Sequence, residues 1–149
     1  MKAVLQRVSR GSVTVDGQII AEIGKGLVIL LGVQPEDTLK VAEDLANKIA
    51  TLRIFEGDAG KMNLSCLDVK GEAIVVSQFT LLADTSRGRR PSFIGAAKPE
   101  IAEPLCDYFI KKLGELGIPT QSGKFGAHML VSIENNGPVT ILLDYPEKG

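Results

Sequence analysis

The sequence SVTVDGQIIAEIGKGLVILLGV, residues 12–33, decides the fold class of this chain. Asp16-Gly17 separates two runs rich in β-forming residues, and this dipeptide favours a two-residue hairpin because a type I′ turn needs positive φ. Gly24-Lys25-Gly26 predicts a second turn, and the apolar residues 27–33 predict a central strand that is buried on both faces. The segment therefore predicts hairpin-connected strands around a buried centre.

Outside this segment the pattern combines more strands with two helices. Residues 35–38, Pro-Glu-Asp-Thr, open the first helix, and the second ends at Gly117 and Pro119. Pro104 limits where the second helix begins, because proline fits a first turn and kinks an interior. Further strands are predicted over residues 53–55, 72–82, 127–134 and 139–144. We expect one domain over residues 1–149 of the mixed α/β class (α+β-like), with a compact, largely antiparallel sheet curled toward a barrel and two main helices packed on it.

Composition indicates a globular protein of ordinary charge. The 149 residues are 44% hydrophobic and 23% charged, and the net charge is −1. No apolar run is long enough to span a bilayer, and the N-terminus leads into a strand pattern without a secretory signal layout. We therefore expect a cytoplasmic protein with no membrane partner. Because the net charge is near zero, an RNA partner would have to be bound by a local basic patch.

Several common kinds of active site are missing from the sequence. It has no Walker loop, and Cys66 and Cys106 lack metal-ligand spacing with His128, the only histidine, so we expect neither a cofactor nor a metal. It also has no G-x-S-x-G elbow, and any catalytic triad would have to use His128. His128 lies within a strand pattern, where a lone histidine is more often structural or exposed than catalytic. We therefore expect that a hydrolase with this sequence works without a triad.

Two polar segments and a basic loop are the candidate functional residues. Ser77-Gln78-Phe79-Thr80 ends a strand; strand alternation alone explains it, but polar groups at a strand end are also well placed to line a pocket. Asn135-Asn136-Gly137-Pro138-Val139-Thr140 contains an Asn-Gly turn signal, but Pro138 cannot donate to a strand ladder. A Gly-Pro bond can be cis because the trans preference is only about 0.5–1 kcal/mol. The loop with Arg87, Arg89 and Arg90 is either a solvated loop or a patch for phosphates.

These segments resemble the D-aminoacyl-tRNA deacylase family. Residues 77–80 resemble its S-Q-x-T motif, and residues 135–140 resemble its N-x-G-P-[VF]-T motif. Shorter stretches match the family in the same order, namely Gln6-Arg7-Val8, Ser12-Val13-Thr14-Val15, Arg53-Ile54-Phe55, Gly60-Lys61-Met62-Asn63 and Arg90-Pro91-Ser92-Phe93. The likeness covers all but the last few residues, and neither motif departs from the family pattern.

The resemblance implies an enzyme that hydrolyses the ester of D-aminoacyl-tRNA, and of mischarged glycyl-tRNA, as a proofreading step in translation. It implies a homodimer in which a cis Gly137-Pro138 of one subunit enters the pocket of the other and rejects L-amino acids. Arg7 would hold this segment, and Asn135 and Thr140 belong to the same motif. The pocket would contain Ser77, Gln78, Phe79 and Thr80 as catalytic residues, with Ala102, Phe125 and Met129 as neighbours.

The missing triad then has a chemical explanation. The terminal ribose of the substrate carries a 2′-hydroxyl that can orient or activate water, and backbone N–H groups near Phe79 and Thr80 would stabilise the oxyanion. A mechanism with Thr80 as the nucleophile ranks second, because no general base stands beside it in sequence. Two other functions stay open. One is a non-catalytic nucleic-acid-binding module that uses the loop of residues 87–90, and the other is a β-rich assembly domain whose Gly-Pro segment docks a partner.

Overall fold

The structure, a computed structural model, describes residues 1–147; residues 148 and 149, the end of the predicted single domain, lie outside the described part. Its strands and α-helices in chain order are β1 (Lys2–Val15), β2 (Gln18–Ile23), β3 (Gly26–Gly32), α1 (Leu39–Thr51), β4 (Phe55–Glu56), β5 (Met62–Leu64), β6 (Glu72–Ser77), α2 (Pro99–Glu115), β7 (Thr120–Ser122) and β8 (Leu130–Asp144). A 3-10 helix, Phe79–Leu82, follows β6.

The long strand β1 organises the main sheet. On one side its first half pairs antiparallel with β3 and its second half pairs antiparallel with β2. On the other side, β8 runs antiparallel along nearly its whole length. β3 then pairs with β6, and β6 with β7, in parallel. The hairpin predicted at Asp16-Gly17 is confirmed, with φ angles of 50° and 78° at these two residues.

The sheet curls until β2 and β7 nearly meet. The Gln121 side chain on β7 accepts a hydrogen bond from the Glu22 N–H of β2 at 3.0 Å and donates one to the Glu22 carbonyl at 2.8 Å. A side chain therefore links these two strands where neighbouring strands elsewhere form a backbone ladder. The prediction of a largely antiparallel, curled sheet of the α+β kind is confirmed, with β3, β6 and β7 as its parallel part.

Both helices pack on the sheet and share its larger core. Residues 35–38 precede α1 rather than forming its first turn, and the Thr38 hydroxyl accepts the Val41 N–H at 3.2 Å as an N-cap. α2 begins at Pro99, and Pro104 lies inside it on the exposed side, where the carbonyl that loses its donor is accessible to solvent. The largest buried side chains of this core include Leu5, Leu27, Ile29, Leu45, Ile49, Phe55 and Phe109. No helix within residues 1–147 is long and apolar enough to cross a bilayer.

The strand predicted over residues 72–82 is too long, because β6 ends at Ser77. The chain turns there into the 3-10 helix and packs closely against Gly32 of β3. A Cβ at Gly32 would lie 2.6 Å from Leu82 Cδ2 and 3.1 Å from the Gln78 carbonyl oxygen. The strand end therefore depends on a close approach that needs a glycine in another strand.

The two strands predicted over residues 127–134 and 139–144 form one strand, β8. Along β1, Gln6 pairs with Thr140 while Val8 pairs with Asn135, so residues 136–139 lie opposite Arg7 alone. Asn136-Gly137 therefore starts a bulge in a continuous strand and does not reverse the chain. This Gly-Pro bulge, residues 136–138, places Gly137 and Pro138 on the surface.

Candidate active site

A cavity of about 520 Å³ opens between the end of β6, the start of α2 and the segment that precedes β8. Its walls are mostly apolar, with Ser77, Gln78 and His128 as polar side chains. The lining residues are Val33, Val76, Ser77, Gln78, Phe79, Phe93, Ala96, Ala97, Pro99, Ala102, Phe125, Gly126, Ala127, His128, Met129 and Val131. A cavity of this size, mostly apolar with a few polar groups, is typical of a site for a small organic group.

Residues 77–79 form one wall of the cavity. Ser77 aligns with Leu31 of β3, and the Gln78 N–H still donates to the Leu31 carbonyl at 2.8 Å before the chain leaves the sheet. Cys106 of α2 lies behind Ser77. Burial raises the pKa of the Cys106 thiol to about 11, although contact with the Ser77 side chain lowers it in part. The wall is therefore backed by a neutral thiol rather than by a charged group.

Thr80 lies at the edge of the cavity and not in its wall. Its side chain is exposed, and its hydroxyl oxygen accepts a hydrogen bond from Gln78 Nε2. Within residues 1–147, no His, Lys, Asp or Glu side chain is hydrogen-bonded to that hydroxyl. The structure thus brings Ser77, Gln78 and Phe79 to the cavity and leaves the fourth predicted catalytic residue beside it without a general base.

Ala102, Phe125 and Met129, the predicted neighbours, all line the cavity from other directions. Ala102 lies near the start of α2, close to the point where the Ala97 N–H donates to the Val33 carbonyl at 2.9 Å. Met129 packs on Gly123, where a Cβ would lie 2.5 Å from the Met129 sulfur. Together with residues 77–79, these walls come from three separate parts of the chain.

Sequence reasoning missed several lining residues. The Phe93 ring packs against Phe79 edge to face, with centroids 5.0 Å apart and an interplanar angle of 78°. His128, interpreted from sequence as structural or exposed rather than catalytic, is exposed and lines the cavity. For Ala96, Ala97 and Pro99 no local pattern signals a cavity, because long-range folding alone brings them there.

Arg7 holds the Gly-Pro bulge from beneath and is only 7% exposed. Its Nε donates to the Asn136 carbonyl at 2.8 Å, one terminal nitrogen donates to the Ile54 carbonyl at 3.0 Å, and the other donates to the Glu56 carboxylate at 3.4 Å. The Gly137–Pro138 peptide bond is cis, and Gly137 has a φ of 140°, a conformation that favours glycine. One buried cation therefore fixes the position of the bulge.

Asn135 closes the base of the bulge. Its Oδ1 accepts the Val139 N–H at 2.7 Å, and its Nδ2 donates to Thr140 Oγ1 at 3.0 Å. None of Arg7, Asn135, Gly137, Pro138 and Thr140 lines the cavity of its own chain. The predicted residues of the Gly-Pro segment, with Arg7 beneath it, are therefore separate from the cavity within one chain, unlike Ala102, Phe125 and Met129.

The predicted RNA-binding residues, Arg87, Arg89 and Arg90, are exposed in a loop that closes next to the cavity. Asp84 and Ser92 exchange two backbone hydrogen bonds of 2.8 and 2.9 Å at the base of this loop. Hydrogen bonds from Ser86 hold the pKa of the Asp84 carboxyl below its ordinary value. Within the part of the chain that the structure describes, none of the three arginines forms an ion pair.

Comparison with known proteins gives the relatives of this chain. The sequence profile of D-Tyr-tRNA(Tyr) deacylase matches residues 4–144. The chain belongs to the D-Tyr-tRNA(Tyr) deacylase family. Within this deacylase family, a D-aminoacyl-tRNA deacylase from Thermomicrobium roseum is 58% identical over 147 residues, which cover 99% of this chain and 96% of the relative. One from Roseiflexus castenholzii is 61% identical over 144 residues, which cover 97% and 92%.

Two solved structures share the deacylase fold of this chain. One, described as a c-Myc DNA Unwinding Element Binding Protein, has a TM-score of 0.93 and 45% identity and covers 99% of this chain and 100% of its own. The other, a probable eukaryotic D-amino acid tRNA deacylase, has a TM-score of 0.82 at 16% identity and covers 95% and 97%. At that identity the second likeness shows the fold alone.

Proposed function

We propose that this chain hydrolyses the ester bond of D-aminoacyl-tRNA and releases the D-amino acid and free tRNA. The observation that carries the proposal is the open cavity walled by residues 77–79, in a chain 58% and 61% identical to relatives named D-aminoacyl-tRNA deacylase. A cavity of about 520 Å³ has room for an aminoacyl group and part of its adenosine. The reaction would remove wrongly charged amino acids in the cytoplasm before translation uses them.

In this proposal the hydroxyl group that assists the reaction belongs to the RNA. Within residues 1–147 no general base is hydrogen-bonded to Thr80, and the thiol behind Ser77 stays protonated because burial raises its pKa to about 11. The 2′-hydroxyl next to the ester can orient the attacking water. The N–H groups of Phe79 and Thr80 open the 3-10 helix and have no acceptor within it, so they can stabilise the oxyanion before the ribose 3′-oxygen leaves.

Chiral selection in this proposal needs a second copy of the chain. Gly137 and Pro138 are exposed and line no part of their own cavity, while the cavity itself has few polar side chains with which to fix an α-amino group. In a homodimer, the main-chain carbonyls of the Gly-Pro bulge enter the partner's cavity. There they accept hydrogen bonds from the D-amino acid and clash with the L-amino acid. Glycine is achiral, so glycyl-tRNA is also hydrolysed.

An apolar surface beside the bulge supports this dimer. Val4 of β1 aligns with Leu30 of β3 and with Leu142 of β8, so the three side chains share one face of the sheet. Leu142 is 76% exposed and forms a groove with Val4 and Leu81. Two residues earlier along β8, Thr140 leads to the Gly-Pro bulge. A second copy that covers this groove therefore meets the bulge as well.

Hydrolysis with chiral selection is the direct test of the proposal. The purified chain, without added metal or nucleotide, is expected to release D-tyrosine from D-tyrosyl-tRNA and to leave L-tyrosyl-tRNA largely intact. Release of labelled amino acid over time measures both rates. Equal rates on the two substrates would remove the chiral part of the proposal, and no release from either would remove the activity.

Mixing two inactive variants tests whether the bulge acts across a dimer. Ala102→Phe fills the cavity, and Gly137→Ala displaces the bulge because the new Cβ would lie 2.9 Å from both Arg7 Nη2 and Val139 Cγ2. Refolded together at equal concentrations, half of the dimers are mixed, and each has one intact cavity facing one intact bulge. Activity is expected to return to about a quarter of the wild-type value. No return, in samples shown to contain mixed dimers, would contradict the cross-subunit arrangement.

The second candidate function is a non-catalytic nucleic-acid-binding module. The observation that favours it is the exposed loop with Arg87, Arg89 and Arg90, together with a solved structure 45% identical to this chain and described as a DNA unwinding element binding protein. That function predicts affinity for RNA or DNA without release of amino acid. The hydrolysis assay therefore distinguishes the two, because a binding module alone leaves D-tyrosyl-tRNA intact.

A further inference from the structure

An exposed ledge of two residues, Phe93 and Ile94, lies on the open side of the cavity. Phe93 lines the cavity and is still 37% exposed, while Ile94 is 91% exposed. Large apolar side chains that adjoin one another on a surface commonly mark a contact with a partner. The proposed reaction explains what the cavity accepts, but it leaves the ring at its outer side without a role.

The ledge is held in a fixed position. The Ile94 N–H donates to the Ser92 hydroxyl at 3.5 Å, and the Ala96 N–H donates to the Phe93 carbonyl at 3.0 Å. Phe79 supports the Phe93 ring from the side of the cavity, with 5.0 Å between the ring centroids. The ring is thus packed on one side and open on another, and it loses little freedom when a flat group stacks on it.

Positive charge lies in the loop that leads directly to the ledge. Ser92, which precedes Phe93, pairs with Asp84 at the base of the loop that carries Arg87, Arg89 and Arg90. These arginines are exposed and form no ion pair within residues 1–147. An aromatic face flanked by arginines matches single-stranded nucleic acid, in which bases stack and phosphates accept hydrogen bonds. An apolar protein partner would leave the arginines unmatched.

We propose that Phe93 and Ile94 stack the nucleobase next to the terminal adenosine of the RNA substrate, which is the second base from the 3′ end. The inference rests on the proposed function, because an aminoacyl group in the cavity brings the next nucleotide to its open side. The phosphate between the two nucleotides then lies toward the arginine loop. Since every base has a flat face, the ledge accepts the 3′ end of many different tRNAs.

A fluorescent base tests the stacking without any hydrolysis. The probe is an RNA hairpin with 2-aminopurine as its second base from the 3′ end and with D-tyrosine joined by a stable amide to a terminal 3′-amino-3′-deoxyadenosine. Wild type and Phe93→Tyr are expected to quench the 2-aminopurine on binding, whereas Phe93→Leu binds more weakly and leaves it bright. Equal quenching at saturation by Phe93→Leu would overturn the proposal. This readout remains valid even when the chain releases no amino acid.

Kinetics with two substrates separate the ledge from the cavity. Phe93→Leu is expected to lower kcat/KM on D-tyrosyl-tRNA about 10-fold, mainly through KM, because it loses a stacked base. D-tyrosyl-adenosine has no second base, so Phe93→Leu should lose clearly less activity on it than on D-tyrosyl-tRNA. An equal loss on the two substrates would show that Phe93 only shapes the cavity through Phe79, and no loss on either would exclude stacking.

Two controls complete this experiment. Ile19→Ala removes a large exposed apolar side chain, 61% exposed, from β2, which lines no part of the cavity, and should leave both substrates unaffected. A tRNA that lacks the base second from its 3′ end should lower the wild-type rate. It should also remove the difference between wild type and Phe93→Leu. Failure of the proposed function has a separate signature, which is a wild-type chain that does not cleave D-tyrosyl-adenosine at all.

Discussion

The cavity and the Gly-Pro bulge are positioned by opposite kinds of interaction. Apolar packing between β6, α2 and the segment before β8 shapes the cavity, and even the thiol behind Ser77 is neutral. A buried cation, Arg7, holds the bulge by the Asn136 carbonyl and is itself anchored by the Ile54 carbonyl and the Glu56 carboxylate. A cavity that accepts many side chains can be shaped by packing, whereas carbonyls that must stay in one place need directional hydrogen bonds.

The largest expected effect follows from removing the cation beneath the bulge. Arg7→Met fills a similar volume but leaves the Asn136 and Ile54 carbonyls without their donor, which costs about 1–3 kcal/mol for the buried Ile54 carbonyl and less for the partly buried one of Asn136. The bulge then shifts, and a displacement of about 1 Å in a positioning group can lower a rate ~100-fold. We expect kcat/KM on D-tyrosyl-tRNA to fall by about that factor, while circular dichroism still shows a folded chain.

The matched control lies on the same strand. Arg10 is exposed and contacts Glu134 at 3.7 Å, so Arg10→Met removes the same charge from β1 without touching the bulge. Because exposed ion pairs contribute about 0–1 kcal/mol, this variant should keep its activity and nearly all its stability. An active Arg7→Met variant, or an equal loss in both, would show that the cation does not position the bulge.

The strands near Asp16-Gly17 could be predicted because turn chemistry is local: the dipeptide itself supplies the conformation that the hairpin needs. The bulge could not be predicted in the same way. Asn136-Gly137 carries the same local turn signal, but it lies in a strand that continues. The difference is set by Arg7, 129 residues away, which bonds to the Asn136 carbonyl. No spacing within residues 135–140 contains that information.

The cavity could be predicted only in part, because local signals mark some of its residues and contacts distant in sequence place the others. A polar strand end pointed to Ser77 and Gln78, and the family resemblance added Ala102, Phe125 and Met129, which all line it. Thr80 was placed among the catalytic residues because the motif treats the four residues as one unit. The turn after Ser77 instead places Thr80 at the edge, and it depends on a contact of the 3-10 helix with Gly32 of β3 that a linear motif cannot show.

Charge at the open side of the cavity gives the next largest expected effect. Replacing Arg87, Arg89 and Arg90 with alanine should weaken tRNA binding and reduce the slope of log K against log salt by roughly two, since each lost phosphate contact contributes about 0.7 for single strands. Replacing the exposed Lys61, Lys70 and Lys111 removes the same charge elsewhere and should leave the slope unchanged. A wild-type slope in the arginine variant would show that the loop is only solvated.

A smaller effect is expected at the edge of the cavity. Thr80→Val keeps the shape of the side chain and removes the hydroxyl that accepts from Gln78 Nε2. If the substrate supplies the reactive hydroxyl, kcat/KM should fall by less than about 10-fold, the value of one exposed hydrogen bond. A terminal 2′-deoxyadenosine in the tRNA should cost far more. An inactive Thr80→Val variant that still binds substrate, or an acyl-enzyme trapped on Thr80, would favour Thr80 as the nucleophile.

The smallest effect on activity is expected from the thiol that backs the cavity, and it appears as a dependence of stability on pH. Burial raises the pKa of Cys106 to about 11 and that of Cys66 to about 11, from an ordinary value of 9.0. Between pH 9 and 11 the unfolded thiols lose protons that the folded thiols keep, so the free energy of unfolding falls as pH rises, by up to about 1.4 kcal/mol per pH unit for each thiol. Urea unfolding at pH 8, 9.5 and 10.5 measures this slope.

Comparison of the two thiols separates the pH effect from the effect on the cavity. Cys66→Ala and Cys106→Ala should each remove a similar part of the slope, because burial is the first cause of both shifts. Only Cys106 contacts Ser77, so only Cys106→Ala should change kcat/KM, and by a few-fold at most because it removes packing and no charge. An unchanged slope in both variants would mean that the thiols titrate normally. A large loss of activity in Cys106→Ala would instead show that the cavity, like the bulge, depends on one directional contact.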